Sequence, residues 1–494
     1  MEEHKSLVIL ACVASYLVMC LSVGLWALRR TSSTHDFFMA GRHLGVLVAS
    51  VALFSSTMSG WGFVGGPGLV YQMGTSSFWM LIATSIGTMI TFYLLGKRLR
   101  MLAELRDPIS LPEAVTARYN SRSTGLLTAI AILLGVMGYL ATQILAMATV
   151  LQSVLEDVSW IGPVPIEICV GISGAVLVFY CVTGGIIASV YTDLVQGIIM
   201  VFAAILVLVT AVGVVENGMT GMSETILADD PEAMGPWGTL GMVGCLSWYL
   251  LLALGMCGQP HVITKLMMTR RIQDARYMLP ISVFGYALSA CLWIAIGLCM
   301  RAVVLQGLHP QLENADDAAA EFLQVYAHPL LAGVVVAGLL AAIMSTADSF
   351  LNIGAAAIIH DIPRAVRGRS LKNELLWARV ATVSIAVVAG GFSLYSGNLV
   401  ALLGAFGWST FAAAIVPTVA IGFNWKRATA LACNLAILTG LVLNFTLELF
   451  KITLPYRFHG GALSILASLA VFYVVSLVSP RPEIDSDIEA VIDL

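Results

Sequence analysis

The chain has 494 residues, of which 59% are hydrophobic and only 11% are charged, and its 25 Lys and Arg residues against 29 Asp and Glu residues give a net charge of −4. A soluble domain usually carries about 25% charged residues, so a protein this apolar could not cover its surface with polar groups. The composition therefore excludes a soluble enzyme and a disordered chain, and the lack of a basic excess excludes a nucleic-acid binder. The remaining class is an all-α polytopic membrane protein embedded in the lipid bilayer.

A membrane-spanning helix needs about 20 apolar residues, and thirteen segments of the sequence meet this requirement. They lie near residues 7–28, 44–72, 76–96, 124–152, 163–183, 190–214, 238–263, 277–303, 327–359, 375–396, 398–423, 427–449 and 460–479. The first is too long for the apolar core of a signal peptide and follows an acidic start, so we expect it to be a span. We expect residues 1–479 to form one transmembrane domain and residues 480–494 to form a short cytoplasmic tail.

The basic residues predict the orientation of the chain. With the N-terminus outside, thirteen spans place all but four of the 25 Lys and Arg residues on the cytoplasmic side, as the positive-inside rule requires. The cytoplasmic group begins with Arg29, Arg30 and Arg42 and includes Lys265. The four residues left outside are Lys5, Arg301, Lys451 and Arg457. A wrong number of spans would scramble this distribution, so we predict thirteen spans, with the N-terminus outside and the C-terminus inside.

The second span contains residues that break helices. It reads Ser55-Ser56-Thr57-Met58-Ser59-Gly60-Trp61-Gly62-Phe63-Val64-Gly65-Gly66-Pro67-Gly68. Five glycines and a proline disfavour a regular helix, and unwound backbone is tolerated in a membrane only where it lines a cavity or is covered by protein. Freed carbonyls and hydroxyls suit a cation, and freed N–H groups suit a carboxylate. The alternative is a kinked helix that packs closely through its small residues.

The seventh span ends with a second set of helix breakers, Gly255-Met256-Cys257-Gly258-Gln259-Pro260-His261. Its position, five spans after the first, is the spacing that an inverted repeat of five helices requires. His261 is either a group that titrates during function or a cap at a helix end near the cytoplasm.

The ninth span carries hydroxyls on one face. Ala342, Ser345, Thr346 and Ser349 are spaced i, i+3, i+4 and i+7. Such hydroxyls either bond carbonyls of their own helix or present the oxygen ligands that a hard cation takes. Asp348 lies beside them, and a carboxylate within a span needs a partner or an ion.

Asp193, at the start of the sixth span, is either a surface cap or a step on an ion path. No phosphate-binding loop, metal cluster or hydrolytic triad is visible in the sequence. We therefore expect a protein that is not an enzyme and that draws its energy from an ion gradient.

At these residues the chain resembles the sodium/solute symporter family, in particular its sodium/proline and pantothenate branch. The resemblance covers nearly the whole chain. It rests on Ala40-Gly41-Arg42, Met58-Ser59-Gly60-Trp61, Gly65-Gly66-Pro67-Gly68, Tyr191-Thr192-Asp193 with Gln196, Gly258-Gln259-Pro260-His261, Met344-Ser345-Thr346-Ala347-Asp348-Ser349, and His360-Asp361. It implies two inverted five-helix repeats, spans 2–6 and 7–11, with flanking helices.

The resemblance also implies a sodium site between spans 2 and 9. The matching residues would be Ser55, Met58 and Ala342 through backbone carbonyls, and Ser345 and Thr346 through hydroxyls. A second ion or an ion exit path would involve Asp193, Asp348 and Ser349. The substrate would contact Ser59, Gly60, Trp61, Tyr139, Met256 and Gln259. Na⁺ is the implied coupling ion and the only implied metal.

The sequence departs from the proline-transporting members at three positions. Those members carry an aspartate where this chain has Thr57, and a Trp and a Tyr where it has Leu252 and Met256. The Gly-Gly-Pro-Gly stretch is more similar to pantothenate transporters, whereas Trp61 is more similar to proline transporters. The resemblance therefore implies a small organic solute of the amino-acid, pantothenate or monocarboxylate class without selecting one.

We interpret the sequence as a sodium-coupled symporter that imports such a solute across the cell membrane by alternating access. Its expected partners are the solute, the sodium ion and the bilayer, and no obligate protein partner is evident. A proton-coupled symporter of the same fold remains an alternative, because Asp348 and His261 can both titrate. A second alternative is a solute sensor that does not transport.

Overall fold

The structure is a computed structural model that describes residues 2–28, 39, 44–156, 162–369, 371–396 and 400–494. Three of the predicted cytoplasmic basic residues, Arg29, Arg30 and Arg42, lie outside the described residues. The Ala40-Gly41-Arg42 motif lies outside them as well. The described residues form helices joined by short turns, with no extended strand among them.

The helices of the first half are α1 (Glu2–Leu28), α2 (Val46–Gly60), α3 (Gly66–Met73), α4 (Phe78–Thr91), α5 (Lys97–Arg106), α6 (Leu111–Tyr119), α7 (Arg122–Glu156), α8 (Ile166–Val214) and α9 (Gly218–Asp229). Those of the second half are α10 (Gly241–Gly255), α11 (Pro260–Met267), α12 (Asp274–Leu305), α13 (Ala318–Val325), α14 (Pro329–Ala356), α15 (Ile362–Arg367), α16 (Glu374–Ser396), α17 (Val400–Ile415), α18 (Ala430–Leu449), α19 (Gly460–Val478) and α20 (Ser486–Ile492).

Each of the thirteen predicted spans falls on a helix, and eleven helical stretches of the described residues are long and apolar enough to cross a membrane. One of these stretches, Val46–Arg106, contains the second and third predicted spans. The fifth and sixth predicted spans lie on the single 49-residue helix α8. At about 1.5 Å per residue, α8 is more than twice as long as the bilayer core is thick. A multi-pass membrane protein is confirmed, whereas the count of thirteen and the orientation remain predictions.

The helix of the second span breaks at Ser59, before most of its glycines. Ser59 adopts φ 50° and ψ 179°, which is left-handed and far from helical. Residues Trp61–Gly65 then form a π-helical turn, and the chain returns to α-helix at Gly66. The interruption was predicted correctly, but the Gly-Gly-Pro-Gly stretch does not itself unwind.

The glycines after the break allow close helix packing instead. A Cβ atom on Gly65 would lie 2.7 Å from the backbone nitrogen of Ala401, and one on Gly66 would lie 3.0 Å from the Trp293 side chain. A larger residue at Gly65 or Gly66 would keep the neighbouring segments further apart. The packing interpretation therefore holds at Gly65 and Gly66, and the functional interpretation of the break at Ser59 stays a prediction.

The seventh span is interrupted as predicted. Residues Met256–Gly258 form a short 3₁₀ turn, Gln259 is extended with φ −79° and ψ 112°, and Pro260 begins α11. Proline suits a first helical position because its missing N–H would have no partner there.

Helix α14 is the central element of the bundle. It packs against α1, α2, α7, α8 and α16, and the described side chains from Gly338 to Asn352 on it are buried. A helix that is covered on all sides can present polar groups only to other protein groups or to an enclosed site. The hydroxyl face of the ninth span, on α14, therefore lies inside the bundle.

The C-terminal segment is docked on the helix ends that we predict to be cytoplasmic. Arg106 contacts Asp485 at 2.6 Å and Asp487 at 2.5 Å. Lys426 contacts Glu489 at 2.8 Å and Asp493 at 2.9 Å. Ile488, Val491 and Ile492 are buried beneath these ion pairs.

The hydrogen bonds of Arg106 lower the pKa of the Asp487 carboxyl below its ordinary value. An acid with a lowered pKa stabilises the folded state above its unfolded pKa, and this contribution is lost as the pH falls through the lowered value. The ion pairs should therefore persist throughout the neutral range. Because they are exposed, salt should weaken them.

Neutralising Arg106 should release the C-terminal helix. In Arg106→Gln, we expect faster proteolysis within residues 480–494 and faster amide hydrogen exchange there, because two ion pairs are lost. Arg271→Gln, at an exposed arginine of another loop, serves as the control. Equal proteolysis of the two variants would show that apolar contacts alone hold the helix.

Candidate functional site

The hydroxyl face of α14 meets the broken second span just before the break. The Thr346 hydroxyl lies 2.8 Å from the carbonyl oxygen of Ser56 and 3.1 Å from that of Ala342. One donated hydrogen thus links the two helices that the sequence predicted to share an ion site. Ser55 and Met58 lie in the last turns of α2 and are buried.

Ser345 lies on the same face, but its hydroxyl is unpartnered. The residue has no exposed surface, and its Oγ has no hydrogen bond among the described residues. The Asp193 carboxylate lies close to this hydroxyl, but the two groups do not meet hydrogen-bond geometry. A buried hydroxyl without a partner is costly, so this oxygen is available to a ligand.

The three residues predicted for a second ion or an exit path form a buried group. Asp193 has no exposed surface, which excludes the surface cap. Its Oδ2 lies 3.2 Å from the Lys265 Nζ. Asp348 accepts a hydrogen bond from the Ser189 hydroxyl at 2.7 Å, and Ser349 donates to the Ser345 carbonyl at 3.1 Å.

Several oxygens around these carboxylates have no hydrogen-bond partner among the described residues. They are Asp193 Oδ1, Asp348 Oδ2, Gln196 Oε1 and Ser345 Oγ. Unsatisfied buried oxygens of this kind are what a cation would bind. The sequence predicted the carboxylates and Ser345, and Gln196 was noted only as part of a motif.

A cavity lies beside the break. It is narrow, with room for about one water molecule in this conformation, and is lined by Thr57, Trp61, Thr84, Tyr139, Trp248, Leu252, Tyr286, Gly404, Ala405 and Trp408. Five of these ten residues are aromatic, and none is charged. The chemistry of this lining suits the apolar body of a compact solute, which would have to widen the cavity in order to bind.

Two of the six predicted substrate residues, Trp61 and Tyr139, line this cavity. The Trp61 indole donates to the Ala401 carbonyl at 3.1 Å, which fixes the ring as a wall. Ser59 lies 3.1 Å from the Tyr139 hydroxyl, and the Gly60 N–H donates to Gln143 Oε1 at 2.8 Å. Ser59 and Gly60 themselves are not among the lining residues.

Met256 and Gln259, like Ser59 and Gly60, do not line the cavity. Met256 is fully buried, close to Gly87. The Gln259 amide donates to the Gly255 carbonyl at 3.0 Å, which bridges the broken seventh span.

A second narrow cavity, partly open to its surroundings, lies on the predicted cytoplasmic side. Its polar lining residues include His261, Lys265, Ser349 and Asn352. Both ring nitrogens of His261 lack hydrogen bonds among the described residues, and Gln259 is the residue that precedes α11. His261 is therefore not a helix cap. Ser349, on the hydroxyl face of α14, also lines this cavity.

Sequence reasoning missed Trp248, Tyr286, Trp408 and Lys265. The three aromatic residues lie in ordinary apolar runs, and only the packing of α10, α12 and α17 brings them together. Lys265 was assigned to a cytoplasmic surface, but only 1% of it is exposed. Its position five residues after Pro260, on a helix that follows a break, was the available signal.

The chain matches known transporters over most of its length. Residues 37–440 match the model of the sodium:solute symporter family. The chain is 27% identical to the osmoregulated proline transporter OpuE of Bacillus subtilis, over 97% of this chain and 96% of the relative. It is 28% identical to the sodium/proline symporter of Escherichia coli, over 84% of this chain and 82% of the relative.

Solved structures of transporters share the fold. A Na⁺-coupled sialic acid symporter in a substrate-bound outward-open state has a TM-score of 0.80 at 18% identity, over 97% of this chain and 99% of that one. Mhp1, a nucleobase-cation-symport-1 family transporter in a closed conformation with bromovinylhydantoin bound, has a TM-score of 0.57 at 13% identity, over 94% of this chain and 99% of that one. With the family match over most of its length, this chain belongs to the sodium:solute symporter family, whose coupling ion is Na⁺.

Proposed function

We propose that this protein imports a small organic solute across the cell membrane, together with sodium, by alternating access. The observation that carries the proposal is the contact of the Thr346 hydroxyl with the broken span at Ser56, near a narrow cavity lined by aromatic side chains. An ion and a solute that bind side by side at one broken helix would each favour the same conformation, which is how their movements become coupled.

The proposed sodium ligands are the carbonyls of Ser55, Met58 and Ala342 and the hydroxyls of Ser345 and Thr346. Their support is the burial of all five residues and the unpartnered Ser345 hydroxyl. The two hydroxyls play different parts before sodium binds. Thr346 already holds the helices together, whereas Ser345 makes no hydrogen bond that would be lost.

The proposed substrate is a small amino acid or monocarboxylate. Thr57 and Leu252, two of the positions that differ from proline-transporting relatives, both line the cavity. The wall is therefore more apolar than an aspartate would make it. The proline symporters among the relatives make proline the first compound to test.

Trp408 is the proposed donor to the polar end of the solute. It lines the cavity, and its buried indole N–H has no hydrogen-bond partner among the described residues. An unpartnered N–H is costly, and a solute carboxylate would satisfy it.

Sodium should drive uptake into proteoliposomes. An inward sodium gradient should accumulate proline or another amino acid or monocarboxylate from a panel, and an inside-negative potential should add to it, since each sodium carries charge worth about 2.3 kcal/mol per 100 mV. Undiminished uptake in potassium buffer with an imposed pH gradient would favour proton coupling instead.

Removing the two hydroxyls should have different consequences. Ser345→Ala should raise the sodium concentration for half-maximal uptake by about fivefold or more, because one ligand is lost. It should not lower thermal stability. Thr346→Ala should raise this concentration as well and should also lower stability, because the link to Ser56 is broken. Wild-type sodium dependence in both variants would refute these ligand assignments.

Trp408→Phe should raise the half-saturating solute concentration about tenfold, because the aromatic wall remains while the donor is lost. Trp293→Phe is a matched control, since the Trp293 indole N–H is also buried and unpartnered but does not line the cavity. Equal effects of the two substitutions on solute affinity would assign Trp408 to packing alone.

A further inference from the structure

A buried ammonium lies one helical turn from the proposed sodium site. Lys265 is on α11, and only 1% of it is exposed. Its Nζ donates to the Ser56 hydroxyl at 2.7 Å and to the Ala52 carbonyl at 2.8 Å, and lies 3.2 Å from Asp193 Oδ2. A carbonyl, a hydroxyl and a carboxylate are the types of oxygen that would hold a sodium ion.

This ammonium is linked directly to the proposed sodium site through Ser56. The Ser56 hydroxyl accepts from Lys265, and the Ser56 carbonyl accepts from Thr346. Asp193 connects the two in a second way, because it pairs with Lys265 through Oδ2 and lies within reach of the Ser345 hydroxyl. Lys265 and a bound sodium ion would therefore lie next to each other, with Ser56 and Asp193 close to both.

The charges of this region suit a fixed cation. Asp193 faces Lys265, and Asp348 interacts electrostatically with both residues. Inside a membrane protein, an uncompensated carboxylate is strongly unfavourable. Without Lys265, Asp193 would need a mobile cation in its place.

We propose that Lys265 is a tethered cation that occupies the second ion position at Asp193, so that the transporter binds one sodium ion per cycle rather than two. This inference rests on the proposed sodium-coupled function. It assigns to a lysine the position that the sequence left open for a second ion or an exit path. It also makes Lys265 a determinant of ion stoichiometry rather than a cytoplasmic surface charge.

The cavity on the predicted cytoplasmic side fits this assignment. Lys265 lines it, together with Ser349 from the hydroxyl face of α14. The ammonium thus lies between the proposed sodium site and the space into which the ion would leave. A fixed positive charge there repels a second sodium ion while Asp193 remains paired.

The test counts sodium ions with equilibrium binding of ²²Na⁺ to the purified full chain. We expect one bound sodium per wild-type protein and two per Lys265→Gln protein, because the freed Asp193 recruits an ion. The double variant Lys265→Gln/Asp193→Asn should return to one, and Lys265→Arg should stay at one. Lys372→Gln, at an exposed lysine outside the group, controls for the loss of a charge.

Asp193→Asn keeps the test decisive if Lys265→Gln does not fold. This variant leaves the ammonium unpaired beside the sodium site, so sodium affinity should fall about tenfold through like-charge repulsion. Adding Lys265→Gln to it should restore most of that affinity. A double variant that binds sodium no better than Asp193→Asn would overturn the proposal.

The outcomes separate this inference from the proposed function. Wild-type protein that binds no sodium would contradict the proposed function itself. Wild-type protein that binds two sodium ions, or folded Lys265→Gln that still binds one, would overturn only the tethered cation.

Discussion

The structure depends on a helix that is broken where no water can satisfy its backbone. At Ser59 the second span turns left-handed, which frees polar groups in the membrane interior. Three polar groups at the break have protein partners. Gln143 accepts from the Gly60 N–H, the Ser59 hydroxyl accepts from the Trp61 N–H, and Thr346 donates to the Ser56 carbonyl. The positions of α7 and α14 follow from this requirement.

The same constraint explains why ion and solute chemistry would meet here. A break covered by protein on one side leaves a gap on the other, and here the gap is walled by aromatic side chains from α7, α10, α12 and α17. Trp408, whose indole N–H is unpartnered among the described residues, lines this gap, and the unpartnered Ser345 hydroxyl lies on the face of α14 that meets the break. A buried hydroxyl or N–H group without a hydrogen-bond partner costs free energy until a ligand binds to it.

The sequence revealed the breaks and the hydroxyl face because these depend on local chemistry. Glycine, proline and the i, i+3, i+4, i+7 spacing act over a few residues, so both interrupted spans and the burial of Ser345 and Thr346 could be predicted. Trp248 and Trp408 could not, because neither differs locally from the apolar residues around it. Lys265 was misassigned for a related reason, since a basic residue after an apolar run usually lies at the membrane surface. Here the lysine is buried because α11 points its side chain toward Ala52, Ser56 and Asp193.

A structure determined at saturating sodium would reveal the ion and its ligands. We expect density for an ion between the carbonyls of Ser55, Met58 and Ala342 and the hydroxyls of Ser345 and Thr346. The lone pairs of the Ser345 and Thr346 hydroxyl oxygens should face the ion, while the Thr346 hydrogen stays on the carbonyl of Ser56 or Ala342. An ion bound elsewhere, with Ser345 still unpartnered, would contradict these ligand assignments.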